Sequence, residues 1–217
     1  MRMDTDQIIA RLAQDAPARR LPGPVARAAL WISVALISVG AVVYAMSLRA
    51  DLAMKMSDAR FVIEQVSALL TAATAALAAF ATTIPGRSRA WIVLPAIPLA
   101  VWASCVGYGC VAEWLSGSAG FQSDWLCLPA IAAVGAIPAV AMVAMLRAGA
   151  PLLPRTSVAL GGLAAAALGD FGLRLFHNAD GGWMVLVWQL GSVAVLTWIA
   201  GRAGPSLLRW RHLDQPR

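Results

Sequence analysis

Six long apolar stretches divide the chain, over about 28–48, 61–84, 90–112, 127–146, 157–176 and 182–201. Each approaches the roughly 20 residues an α-helix needs to cross a bilayer core at about 1.5 Å per residue. The second is interrupted early by Glu64 and Gln65, and the last two are joined by the short polar turn "HNADG". Lipid offers backbone groups no hydrogen-bond partner, so runs of this length predict helices rather than strands. The pattern describes an all-α membrane protein, a six-transmembrane-helix bundle over residues 27–203. The first stretch is longer than the apolar core of a secretory signal and five more follow it, so it reads as a retained span.

Polar positions outside these stretches leave one sizeable soluble piece, residues 1–26, and a short tail over 204–217. In "MRMDTDQIIARLAQDAPARRLPGPVA", Asp4 can cap a helix start with Gln7 three positions on. Ile8, Ile9 and Leu12 then share one face, opposite Asp6, Arg11 and Gln14. Pro17 stops this short amphipathic helix, and "ARRLPGP" tethers it to the first span. A lone helix of about 12 residues is marginal in water, so it needs a surface to fold against. Two surfaces suit it: the membrane interface, or a soluble partner.

Composition agrees, with 60% hydrophobic and only 13% charged residues. Charge adds an orientation, because cations flanking spans stay on the cytoplasmic side. With the N-terminus inside, 13 of the 17 Lys and Arg fall on that side; Arg49, Lys55, Arg60 and Arg174 are the exceptions. Glu113, Asp124 and Asp180 fall outside, so both termini are expected on the cytoplasmic side. The net charge of +6 comes from cations scattered over span ends without interleaved aromatic platforms. Contact with the lipid bilayer accounts for it, and no direct nucleic-acid binding is expected.

Within the spans, Gly161, Ala165 and Gly169 form a small-residue stripe suited to close helix packing. Asp170 and Arg174, four apart, can neutralise each other. Glu64 is the other deep acid, too little for an ion pathway, which disfavours a small transporter. Pro95, Pro98, Pro129 and Pro138 invite kinks in the third and fourth spans.

These two spans carry the only thiols. Cys105 and Cys110 lie five apart on one helix, too far and too divergent for a bridge, and Cys105 reads as packing. Cys110 in "GYGCVAEW" and Cys127 in "DWLCLPAI" stand at the two rims of a 16-residue connection assigned to the outer face. There they can form a disulfide, bind a soft metal, respond to an oxidant, or simply pack. The histidines are His177 and His212, and no Cys-x-x-Cys occurs, so no metal site is firmly predicted. The same lack counts against the enzymatic alternative, a membrane thiol oxidoreductase. No catalytic residue and no resident cofactor are expected.

In this order, "TDQIIARLAQDAPARRL", "LRADLAMKMSDARFVIEQVSALLTAATAALAAF", "IPGRSRAW", "GYGCVAEWL", "DWLCLPAI", "LRAGAPLLP" and "LAAAALGD" resemble the NrsF family, negative regulators of sigma factor F. The resemblance covers nearly the whole chain. It implies an integral inner-membrane anti-sigma factor that holds an extracytoplasmic-function sigma factor through its cytoplasmic N-terminal segment. Release follows metal or oxidative stress sensed by extracytoplasmic thiols. On that reading Asp4, Asp6, Ile8, Ile9, Leu12 and Asp15 dock the sigma factor, and the family's W-x-C-L-P cysteine falls on Cys127, where a heavy-metal ion can bind transiently. The chain departs from the family where a second cysteine follows a Leu-His pair in the last outer loop; here Phe176, His177 and Asn178 stand instead. Either Cys110 is the partner of Cys127, or His177 supplies an auxiliary ligand, or a different stimulus is sensed.

Overall fold

The computed structural model describes residues 5–7, 21–117, 126–149, 152–178 and 181–208. Its long helices are α1 (Pro24–Met46), α2 (Ala59–Ala81), α3 (Ala96–Leu115), α4 (Cys127–Arg147), α5 (Pro154–Phe176) and α6 (Gly191–Leu207). A 3₁₀ segment, Arg89–Val93, leads into α3, and Gly182–Met184 with π-helical Val185–Leu190 leads into α6. The resulting six crossings are long and apolar enough to span a membrane, and the described residues contain no strand.

Proline explains where several crossings begin. Pro24 and Pro154 occupy the first turns of α1 and α5, where the missing N–H would have had no helical partner. Hence α1 starts four residues before the expected 28, inside the stretch read as tether. The third crossing breaks at Leu94–Pro95, and Pro98 falls in the first turn of α3, as Pro129 does in α4. In this pair of crossings only Pro138 lies inside a helix, and its carbonyl accepts a 2.8 Å hydrogen bond from the buried Trp31 Nε1 of α1. At α2, the Asp58 side chain caps the start by accepting from the Arg60 N–H at 2.9 Å.

α5 is the hub, packed by α1, α2, α4 and α6. Glycines set how closely they approach. A Cβ at Gly169 would lie 2.6 Å from the Ile131 carbonyl oxygen, and one at Gly161 would lie 2.6 Å from Met142 Cγ. From the facing helix, a Cβ at Gly135 would lie 2.8 Å from the Ala165 carbonyl oxygen. The stripe Gly161, Ala165, Gly169 is therefore the seam between α5 and α4. Gly162 likewise faces Ala200 of α6, and Gly172 faces Val39 of α1. Lipid tails are as apolar as side chains, so close backbone approach, not solvent exclusion, holds such helices together.

The crossings alternate, which places the ends of the described chain together. Arg27 reaches Thr83 and Met145 there, a Cβ at Gly149 would meet Thr83, and Arg147 Nε donates to the Leu207 carbonyl at 2.7 Å. This is the termini-bearing end; residues 47–58, 116–117, 126, 177–178 and 181 lie at the opposite end.

Candidate functional site

Arg27, which the positive-inside count treated as a flanking cation, is a buried residue of α1. Its guanidinium donates to Thr83 Oγ1 at 3.0 Å and to the Met145 carbonyl, and stacks 4.5 Å from the Phe80 ring. Met145 lies in the last turn of α4, where carbonyls lack helical partners and need another donor. One side chain thus ties the root of the N-terminal tether to the ends of α2 and α4.

At the opposite end a second arginine fastens the first connection. Ser47 leaves α1 at φ 64, a backbone conformation rarely taken by non-glycine residues. The chain then brings Arg49 beneath α5, where its N–H donates to the Leu175 carbonyl at 3.0 Å and its Nη1 to the His177 carbonyl at 3.2 Å. Nε and Nη2 fork onto the Asp51 carboxylate at 2.6 and 2.8 Å. The Arg49 guanidinium beside Asp51 holds its carboxyl below the usual carboxylate range.

Deeper in the same half lies a buried ionic cluster. Glu64 of α2 accepts from Arg174 Nη2 of α5 at 3.1 Å and pairs with Arg60 Nε at 3.3 Å. Arg174 and Arg49 both stack on the Phe61 ring, 5.2 and 6.0 Å from its centroid. The sequence pairs Arg174 with Asp170; in the structure Arg174 crosses to Glu64. Stacking on Phe61 directs its fork toward α2, and the cross-helix pair neutralises two deep charges at once. Asp170 stays within electrostatic reach of Arg174 and Glu64, but its Oδ1 is buried without a hydrogen-bond partner. Gln189, in the π-helical segment, is also buried, with neither amide atom bonded. Together with Gln65, Ser67, Thr71 and Ser192, these give the bundle more buried polar side chains than the sequence reading allowed.

All three cysteines are thiols, and Cys110 and Cys127 are buried, at 4% and 1% exposure. Cys110 is not an open rim. A Cβ at Gly182 would lie 2.7 Å from the Cys110 backbone nitrogen, and the Gly182 N–H donates to Glu113 Oε1 at 2.6 Å. The start of the last crossing therefore lies directly over this turn of α3. Cys127 opens α4 within the core cluster. α3 packs chiefly on α2 and on the start of the last crossing, whereas α4 packs on α1 and α5, so the thiols belong to different helix pairs. His177 follows α5 as its C-terminal cap, with its carbonyl engaged by Arg49. Among the described residues no three His, Cys, Asp or Glu side chains converge as metal ligands.

Asp6 lies in the described helical fragment 5–7 and is exposed; Asp4, Ile8, Ile9, Leu12 and Asp15 lie outside the described residues. The sequence reading missed Arg27, Arg49 and Gln189 as interior polar groups. A cation three residues after Pro24, a proline suited to a first helical turn, was the available signal for the first.

No curated protein and no solved structure matches the chain. A family model described as "Negative regulator of sigma F" matches residues 12–210. That match takes in all six crossings, both buried thiols and the cluster around Glu64, and by it the chain belongs to the NrsF family.

Proposed function

We propose that this chain is a membrane-embedded anti-sigma factor for an extracytoplasmic-function sigma factor, held by residues 1–26 on the cytoplasmic face and released by chemistry at Cys110 and Cys127. The observation that carries the reading is the span of α4. It begins at buried Cys127, and its last turn holds Met145, whose carbonyl is bound by Arg27, where the tether enters α1. Trp31 ties the same two helices at mid-height through Pro138.

In this mechanism the resting thiols are covered. An oxidant or soft metal reacts with them only when the outer end opens, and modified thiols hold it open because neither a sulfur–metal bond nor an oxidised sulfur fits the close packing around them. α4 then shifts against α5 along the glycine seam. Arg27 transmits the shift to the tether, and the docking face of Ile8, Ile9 and Leu12 lets go. Moving the partner from mostly bound to mostly free needs about 5.5 kcal/mol of preference between the two states.

Co-purification tests the binding half. Full-length protein in detergent should retain a sigma factor that protein lacking residues 1–26 loses; no sigma factor with either form would refute it. Cys127→Ser should blunt stress induction of a sigma-dependent reporter, and an undiminished response would remove Cys127 from the sensor.

A further inference from the structure

Toward the outer end α3 is held by Gly182–Met184 and by the π-helical segment, but it diverges from α6 toward the termini. The wedge left between them is floored by α5. It forms a groove of about 780 Å³ lined by Leu99 and Ala103 of α3, Ala159 and Leu163 of α5, and Val193 and Ala194 of α6. The walls are almost wholly apolar and no acidic side chain lines them.

Its polar features lie toward one end. Arg155, in the first turn of α5, and Arg202, in the last turns of α6, line the groove at the termini-bearing end, and Arg202 stacks 5.5 Å from the Trp198 ring. Thr197, one helical turn further in, has its Oγ1 buried with no hydrogen-bond partner. An apolar slot ending in two cations complements a molecule with an apolar tail and an anionic head.

We propose that this groove binds one anionic phospholipid, with an acyl chain along Ala103, Ala159 and Ala194 and its phosphate between Arg155 and Arg202. Basic pockets between spans recognise anionic headgroups by this combination of charge and apolar contact. A zwitterionic lipid would carry its own cation beside the two arginines. A second copy of the chain fits poorly, because a twofold axis along the membrane normal brings both copies' arginines to the same depth. The occupant fills the wedge beside α3, the helix that carries Cys105 and Cys110, and so braces α3 against α6.

The test is native mass spectrometry of the full-length protein released from neutral detergent, after incubation with phosphatidylglycerol or with phosphatidylcholine of the same chains. Wild type should retain one phosphatidylglycerol at concentrations where phosphatidylcholine is lost. The Arg155→Gln/Arg202→Gln pair should weaken retention at least tenfold, and Arg155→Lys/Arg202→Lys should recover part of it. Ala194→Phe, which keeps both charges and fills the slot, should also weaken it, whereas Arg87→Gln, an exposed cation at the same end but outside the groove, should not. Equal retention of the two lipids, or unchanged phosphatidylglycerol binding in the Gln pair, would overturn the proposal. So would displacement of the lipid by millimolar inorganic phosphate alone, which would mean the slot contributes nothing. A dimer abolished by Ala194→Phe, with lipid retention indifferent, would give the groove to a second copy.

Discussion

Replacing Arg27 by Met removes the charge and its two donors while keeping an unbranched side chain of similar length in α1. Three interactions go: the bond to Thr83 Oγ1 at 3.0 Å, the bond to the Met145 carbonyl, and the stacking over Phe80 at 4.5 Å. Thr83 keeps its own bond to the Phe80 carbonyl at 2.7 Å, so the main orphan is the Met145 carbonyl. Interhelical bonds in membrane proteins average about 0.6 kcal/mol, and bonds to charged groups run to about 1.5–3 kcal/mol. Taking about 1 kcal/mol for each bond and about 1 kcal/mol for the stacking, then allowing about 1 kcal/mol back for no longer burying a cation, leaves a net loss of about 2 kcal/mol. That is roughly a thirtyfold fall in the folded-to-unfolded ratio. The assay is unfolding of the full-length protein in detergent, followed by tryptophan fluorescence. Arg27→Lys should fall between wild type and Arg27→Met, because a single ammonium is a point charge without the planar fork that reaches two acceptors at once. If Arg27→Met unfolds within about 0.5 kcal/mol of wild type, a difference typical of an ordinary surface site, Arg27 is not the clamp described.

Glu64→Gln should destabilise by roughly 3–5 kcal/mol, because it removes the carboxylate that pairs with the buried Arg174; adding Arg174→Gln should recover a large part of that in a double-mutant cycle of the same unfolding measurement. Gly169→Ala should cost about 1–3 kcal/mol, since its new Cβ would lie 2.6 Å from the Ile131 carbonyl oxygen, whereas Gly40→Ala, with nothing within 4 Å, should be neutral or stabilising by up to about 1 kcal/mol. Ser47→Gly should raise stability by about 1 kcal/mol, by relieving the positive φ, and a loss of stability would show that the serine side chain matters more than the strain. Because the folded carboxyl of Asp51 lies below its ordinary 3.8, its contribution is complete above that value and disappears as pH falls through the lower one. Limited proteolysis of the 47–58 connection should accordingly stay flat from pH 7 to 4, and cleavage that rises already near pH 5 would show that Asp51 is not the fastening.

Six crossings were legible because the bilayer demands length and apolarity of every span, a constraint visible without any partner. Their ends were harder to place. Pro24 read as part of the tether and the fifth stretch as starting at 157, yet a first-turn proline costs nothing, so α1 and α5 begin on Pro24 and Pro154. The small-residue stripe on α5 could be seen, but not that it faces α4, since spacing gives a face and not its neighbour. The same limit applies to Arg174: i,i+4 spacing offered Asp170, which does lie within its electrostatic reach, but could not offer Glu64, which stands 110 residues away in sequence. Arg27 carried two kinds of information, orientation and packing, and charge counting reads only the first. Cys127 begins α4 and Cys110 lies in the second half of α3, but the lid that Gly182 forms over Cys110 depends on how the last crossing enters the bundle. The π-helical turn at Val185–Leu190 is invisible for a similar reason, because its residues have ordinary helix-forming composition.

The central claim is that a change at Cys127 reaches the tether through α4 and Arg27. It is tested most directly by measuring two quantities in the same stressed cells: capture of Cys127 by the stress agent itself, read by peptide mass as the oxidised or metal-bound residue, and output from a sigma-dependent reporter. In wild type, stress should raise capture and reporter output together. In Arg27→Met, stress should still raise capture while the stress-dependent change in output falls away. Equal induction of the reporter in both proteins, or a wild-type response without any change in Cys127 capture, would contradict the account.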